Sequence, residues 1–225
     1  IVSPAKRMEV VDGPPHASSQ PRFREEAARL AHAMRELGYD GCKRLWRCSD
    51  ELARLNYDRL LAEDPADADD PTTTAAVVAY RGIQYQHLAP AVMDERELDY
   101  LGRHLRILSG LYGVLRPFDG VSPYRLEMQA KVKAPFCKNL YDFWGDSLGE
   151  FLLQEDSVLV NLASEEYAKA VRPAVAGKGR FVTCVFAEEP EPGRLVEKGV
   201  YVKMARGEMV RFAAEHNVQS PEGLQ

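Results

Sequence analysis

Long apolar runs are absent from these 225 residues; none approaches the roughly 18 that a membrane-spanning helix needs. Cysteine is scarce, and the four present (Cys42, Cys48, Cys137, Cys184) form no C-x-x-C pair. That excludes a disulfide-stapled miniprotein and makes reduced thiols in a cytoplasmic protein the simplest reading. The five histidines (His16, His32, His87, His104, His216) are scattered, with none three or four residues from another, so neither a metal site nor a cofactor is expected. The chain opens Ile1-Val2-Ser3-Pro4 without the basic stretch and apolar core of a secretory signal, and it reads as starting inside an element. What is present is ordinary: 45% apolar and 28% charged residues. Such a composition excludes a disordered tail or a collagen-like fibre and leaves ample length for a buried core.

The net charge of −5 is unevenly spread. Asp58 to Asp70 holds six acids and one Arg, and Glu188 to Glu197 four acids and one Arg. By contrast, Arg103 to Lys133 carries six bases (Arg103, Arg106, Arg116, Arg125, Lys131, Lys133) against Asp119 and Glu127, a local +4. Lys198 to Phe212 carries four bases against Glu208, a local +3. A polyanion responds to the field of a patch, because exposed charges beyond about 10 Å are screened. Solvated faces are the alternative for either stretch.

Helix and strand signals alternate, with no repeat. Phe23, Ala27, Leu30, Met34 and Leu37 recur at helical spacing between Ser19 and Gly38. Ser49-Asp50-Glu51 opens a second helix carrying Leu52, Leu55 and Leu60. Asp64 to Thr74 reads as a surface loop and Ala75 to Tyr80 leans to strand. Asp94 with Glu97 fits a capping box, and the stripe Leu98, Leu101, Leu105, Leu108 predicts a helix ending at Ser109-Gly110. Another helix is expected over Leu140 to Gln154, strands at Val158 to Val160, Arg180 to Phe186 and Val200 to Met204, and a last helix from Ala205 to about His216. The alternation implies a mixed α/β (α+β) single domain, 1–225, around one mixed sheet.

The most specific stretch runs from Leu105 to Pro117. A leucine-striped helix stops at Gly110, two residues pass, Gly113 follows, and apolar residues resume. Two glycines so close allow positive φ and leave amide hydrogens uncovered. If Val114 opens a short helix, its free N–H groups form an anion site flanked by Arg106 and Arg116. That predicts a helix-hairpin-helix-like element over 103–128 that grips DNA phosphates without reading bases. The alternative is a tight helix connection that needs glycine for packing alone.

Seven ordered motifs resemble a known family: Ser3-Pro4-Ala5-Lys6, Ser49 to Ala53, Leu105 to Pro117, Pro123 to Met128, Leu140 to Trp144, Asn161 to Ser164 with Tyr167, and Lys203 to Gly207. Together they resemble the YaaA family of bacterial peroxide-stress proteins. The resemblance implies a cytoplasmic protein that limits oxidative damage to DNA by keeping free iron low. It also implies an α/β domain with a positively charged cleft and a helix-hairpin-helix-like element that binds DNA. The chain departs from the family where a threonine commonly follows the lysine of the first motif; here that residue is Arg7. Cys137 and the stretch Glu188 to Pro192 look peculiar to this member, and both ends read as shortened.

Other motifs also carry chemistry. Ser3, Lys6, Asn161 and Ser164 follow β-leaning runs and are expected to converge beyond strand ends, with Tyr167 one helical turn on. Lys6 there would hold phosphate or, desolvated, act as a base or Schiff-base nucleophile; Asn161 and Ser164 would otherwise merely cap a helix. Arg125 and Glu127 read as an exposed ion pair or as a phosphate-binding arginine held by its neighbour. Tyr141, Phe143 and Trp144 read as core before base-stacking. Lys203, Arg206 and Arg211 sit around Gly207 at an expected strand-to-helix junction. Two functions remain in view. One is a DNA-binding protective protein using Lys6, Arg106, Ser109, Gly110, Leu111, Tyr112, Gly113, Arg116, Arg125, Lys203 and Arg206. The other is an enzyme acting on a nucleotide or a base in DNA, its pocket lined by Lys6, Asn161, Ser164 and Tyr167. Neither involves a membrane partner, and a direct iron sequestrant lacks clustered ligands.

Overall fold

The computed structural model describes residues 1–65, 73–191 and 193–224, so most of the expected 64–74 loop lies outside the described residues. Strand β1 (Arg7–Met8) precedes three helices, α1 (Arg24–Glu36), α2 (Gly38–Trp46) and α3 (Asp50–Ala62). Then come β2 (Thr74–Ala75), the single turn α4 (Ala76–Ala79), β3 (Tyr80–Arg81), α5 (Ile83–Leu88) and α6 (Glu95–His104). Strands β4 (Ile107–Ser109), β5 (Gly113–Leu115) and β6 (Gly120–Val121) lead through an irregular stretch to α7 (Leu140–Trp144) and α8 (Ser147–Glu155). The chain continues with β7 (Val158–Asn161), the turns α9 (Glu165–Ala168) and α10 (Arg172–Val175), and β8 (Arg180–Thr183). A hairpin, β9 (Glu188–Glu191) and β10 (Arg194–Val196), precedes the long α11 (Gly199–Glu215).

The fold is mixed α/β, as the alternation implies. β7 and β8 pair in parallel, Val158 opposite Arg180, while β4 and β5 pair antiparallel, Ile107 opposite Leu115. The opening segment joins them: Val2 bridges Ile107 in parallel, and Leu162 N donates to the Ile1 carbonyl at 2.9 Å. Ile1–Val2 thus links the β7–β8 and β4–β5 pairs, which stand as separate two-stranded sheets rather than the one mixed sheet expected. β1 with β3 and β2 with β6 form separate short pairs. One apolar core gathers Leu30, Met34, Leu101, Leu108, Met128 and Trp144.

Caps read from sequence form where expected. Ser49 accepts from Leu52 N to open α3, and Asp94 and Glu97 make a reciprocal capping box at α6. Several boundaries differ. Ser19 does not cap α1; its hydroxyl donates to the buried Asp119 at 2.6 Å. Gly38, at φ +65°, ends α1 as expected, yet a further helix, α2, begins there. The segment from Ala75 to Tyr80 divides into β2, α4 and the start of β3. Gly145, at φ +48°, breaks the expected Leu140–Gln154 helix in two. Val200 to Met204 is helix rather than strand: Val202, Val210 and Ala213 bury the inner face of α11. α11 crosses α5 so closely that a methyl group at Gly207 would overlap the Gln84 carbonyl.

The largest correction falls on 103–128. α6 ends at His104, Leu105 takes an extended conformation, and residues 107–115 form a β-hairpin, not a helix-hairpin-helix. Leu105 and Leu108 fit a helical stripe and an extended buried segment equally well. Pairing to Val2 and Leu115 decided between them.

Candidate nucleic-acid interface

The β4–β5 corner is buried, and its Leu111 and Tyr112 amides are spent inside the fold. Ser109 Oγ accepts from Leu111 N at 3.2 Å and Tyr112 N at 2.8 Å, and Trp144 Nε1 donates to the Gly110 carbonyl at 3.2 Å. Every residue from Ile107 to Leu115 is buried. Gly110 is required because a Cβ would strike the Leu126 carbonyl; Gly113 holds φ +69° against Leu148 and Trp144. The glycine pair thus serves close packing, which overturns the anion-site reading of Ser109, Gly110, Leu111, Tyr112 and Gly113.

The flanking arginines are engaged as well. Arg106, only 12% exposed, donates through Nε to Glu155 at 2.6 Å, and Arg116 Nη2 donates to the other carboxylate oxygen at 2.8 Å. Burial pushes the Glu155 carboxyl up, but the two guanidiniums outweigh it and hold the group below its ordinary range.

Among the enzyme candidates, two meet. Ser3 Oγ accepts from Ser164 N at 2.8 Å and lies 3.2 Å from Ser164 Oγ. Asn161 spends its side chain locally, accepting from Ala163 N at 3.0 Å and donating to Thr183 Oγ1 at 3.3 Å. Tyr167 is buried, and burial drives its hydroxyl far above the usual phenol range. Lys6 is 67% exposed with Nζ 3.0 Å from Glu127 Oε1, so the desolvated-lysine reading fails. Lys203 and Arg206 lie within α11 rather than at a strand-to-helix junction. Lys203 is exposed, while burial lowers the Arg206 guanidinium. Trp144 is core, edge-on to Phe23 and Phe143.

The cationic surface lies elsewhere, in a cleft of about 640 Å³ between the α1–α2 corner and the segment 125–133. Its charged lining is Lys6, Arg44, Arg47, Arg125, Lys131 and Lys133 against Glu127 alone, a local +5 on an acidic chain. One wall is that segment. Leu126, Met128 and Val132 are buried, while Arg125, Glu127, Gln129, Lys131 and Lys133, with Ala130 after the turn at Met128–Gln129, line the cleft. The other wall comes from α2, where Cys42 and Trp46 bury one face and leave Arg44 outward; Arg47 ends the helix at φ +47°. Arg44, Arg47, Lys131 and Lys133 have no ion-pair partner among the described residues, whereas Glu127 sits between Lys6 and Arg125 Nη2, the latter at 3.7 Å. Behind it, Glu166 accepts from Gln129 N and Nε2, each at 3.1 Å. Burial, with the Glu127 charge adding to it, raises the Glu166 carboxyl.

Of the residues expected to touch DNA, only Lys6 and Arg125 line this cleft. Sequence reading counted Lys131 and Lys133 in a basic stretch without seeing that they share a face, although the odd–even alternation from 125 to 133 signals it. Arg44 and Arg47 depended on the unread α2. Among the described residues no three His, Cys, Asp or Glu side chains stand close enough to hold a metal ion, and no helix is long and apolar enough to cross a membrane.

Fold and site together define a mixed α/β protein with a cationic cleft and a glycine-tightened β-hairpin beneath it. The family model described as peroxide stress protein YaaA matches residues 1–225, and the chain belongs to that family, which gives it a role in peroxide stress. It is 47% identical over 224 residues to a UPF0246 protein of Desulfitobacterium hafniense, spanning 100% of this chain and 87% of that one. UPF0246 proteins of Pediococcus pentosaceus and Lacticaseibacillus paracasei match at 46% and 44%, each again over 100% of this chain, and over 87% and 89% of their own. The resemblance drawn from the seven motifs therefore holds from end to end.

Proposed function

We propose that this protein serves peroxide stress by binding DNA through its phosphates in the cleft lined by Lys6, Arg44, Arg47, Arg125, Lys131 and Lys133. The observation that carries this reading is the concentration of six cations against one carboxylate on a chain whose net charge is −5. Lysines and arginines at phosphates release the condensed cations that surround DNA. Ferrous ions among them would leave the strand, so peroxide would meet less iron at the sugar and bases. Because the contacts are to the backbone, binding depends weakly on sequence. Such a role would call for a protein that shares the cytoplasm with the DNA. An enzyme acting on a nucleotide would have to work with Lys6 and Glu127, since Asn161, Ser164 and Tyr167 are committed inside the fold.

The test is affinity for a mixed-sequence duplex across a salt series. The logarithm of the binding constant should fall linearly with that of salt, with each lost phosphate contact reducing the slope by about 0.9. Lys131→Ala with Lys133→Ala should weaken binding and flatten that slope, while Arg116→Ala leaves both unchanged. Salt-independent affinity, or full affinity in the double variant, would overturn the proposal.

A further inference from the structure

We infer that the cleft takes one nucleotide unit at a time, phosphates on the cationic rim and base against an apolar wall. This deepens the reading above and rests on it. Three observations point the same way. The volume of about 640 Å³ falls in the range of roughly 300–1,000 Å³ that encloses a single small ligand. It cannot take in a duplex, whose major groove alone is about 12 Å wide. A duplex would rest on the rim and leave the interior unfilled.

Second, the lining is segregated. Arg44, Arg47, Lys131 and Lys133 are exposed and without ion-pair partners among the described residues, an arrangement suited to a multiply charged phosphate group. Leu37, Leu45 and Ala130 make the remaining surface apolar. A site for inorganic polyphosphate alone gains nothing from that wall, whereas a planar base buries against it.

Third, Leu37 is 41% exposed although it stands in a concave site. Gly41 lets Leu37 lie directly against the backbone of α2: a Cβ there would meet Leu37 Cβ at 2.7 Å. Trp46 lies next to this wall, its Nε1 buried without a partner among the described residues, as is Arg125 Nε.

The experiment titrates the full chain with adenosine triphosphate, inorganic tripolyphosphate, an oligothymidylate single strand and a duplex, following tryptophan emission and calorimetry. Adenosine triphosphate should bind about tenfold more tightly than tripolyphosphate, which has similar charge and no base. The single strand should compete with it, and the relative affinities of strand and free nucleotide tell whether the unit comes from a strand or from solution. Leu37→Gln, at an exposed position, should lower nucleotide affinity to that of tripolyphosphate and leave tripolyphosphate binding unchanged. Equal affinity for the two phosphates, both lost with Lys131→Ala and Lys133→Ala, would overturn the inference while the phosphate-binding reading stands. So would a duplex that binds and is not displaced by the nucleotide. No binding by any probe would remove both.

Discussion

Gly110 and Gly113 shape the most informative stretch of the chain through what they lack. A methyl group at Gly110 overlaps the Leu126 carbonyl, so Gly110→Ala should cost about 1–3 kcal/mol of stability, measured by urea unfolding. Glu155 belongs to the same neighbourhood. Its folded-state carboxyl titrates below the ordinary value of 4.5, so its contribution is full above that value and disappears as pH falls through the lower, folded one. Glu155→Gln should therefore destabilise the protein at neutral pH, and the gap from the parent should close in acid. Thermal unfolding over a pH series checks this, and a gap that widened in acid would contradict the ion-pair account.

The segment 125–133 divides its duties by parity. Leu126 is buried in the core while Lys131, on the opposite face, is exposed. Leu126→Ala should cost roughly 2–5 kcal/mol of stability. Lys131→Ala should stay within about 0.5 kcal/mol and yet weaken polyanion binding. Paired urea unfolding and DNA titration separate the two effects. This much was legible: the alternation stands in the sequence, as do the Ser49 and Asp94 caps. The helix-hairpin-helix was not, because Leu105 and Leu108 satisfy a helical stripe and a buried extended run alike, and only the partner strand distinguishes them. α11 was misread at its start for a related reason. Val200-Tyr201-Val202 favours strand locally, but α5 offers a groove that a glycine-bearing helix fills.

At the scale of the molecule, charge is sorted in space more sharply than along the chain. Lys6 and the α2 arginines join the 125–133 bases from separate parts of the sequence. Glu127 opposes them within the cleft, and Glu166 stands behind it, accepting from Gln129. Glu166 is raised by burial, so it loses its charge at a higher pH than an ordinary glutamate, and acidification through that step should tighten polyanion binding. Glu166→Gln should remove that increment; binding measured between neutral and mildly acidic pH at fixed salt checks it. Peroxide chemistry at Cys42, Cys137 and Cys184 is disfavoured on this framework. Burial lifts the thiols of Cys137 and Cys184 and pushes Cys42 up to about 11, whereas reaction needs the thiolate.

The sequence by itself determined the family, the mixed α/β class, the caps and the existence of a basic stretch, since these follow from residue identity and short-range spacing. Tertiary structure alone decided that Gly110 and Gly113 close a buried hairpin and that the cations meet at the α1–α2 corner. Both depend on which distant segments become neighbours: Leu126 above Gly110, and α2 across from Lys131. Local propensity carries no record of those contacts, because the free energy that selects them comes from burial and pairing between residues far apart in the chain.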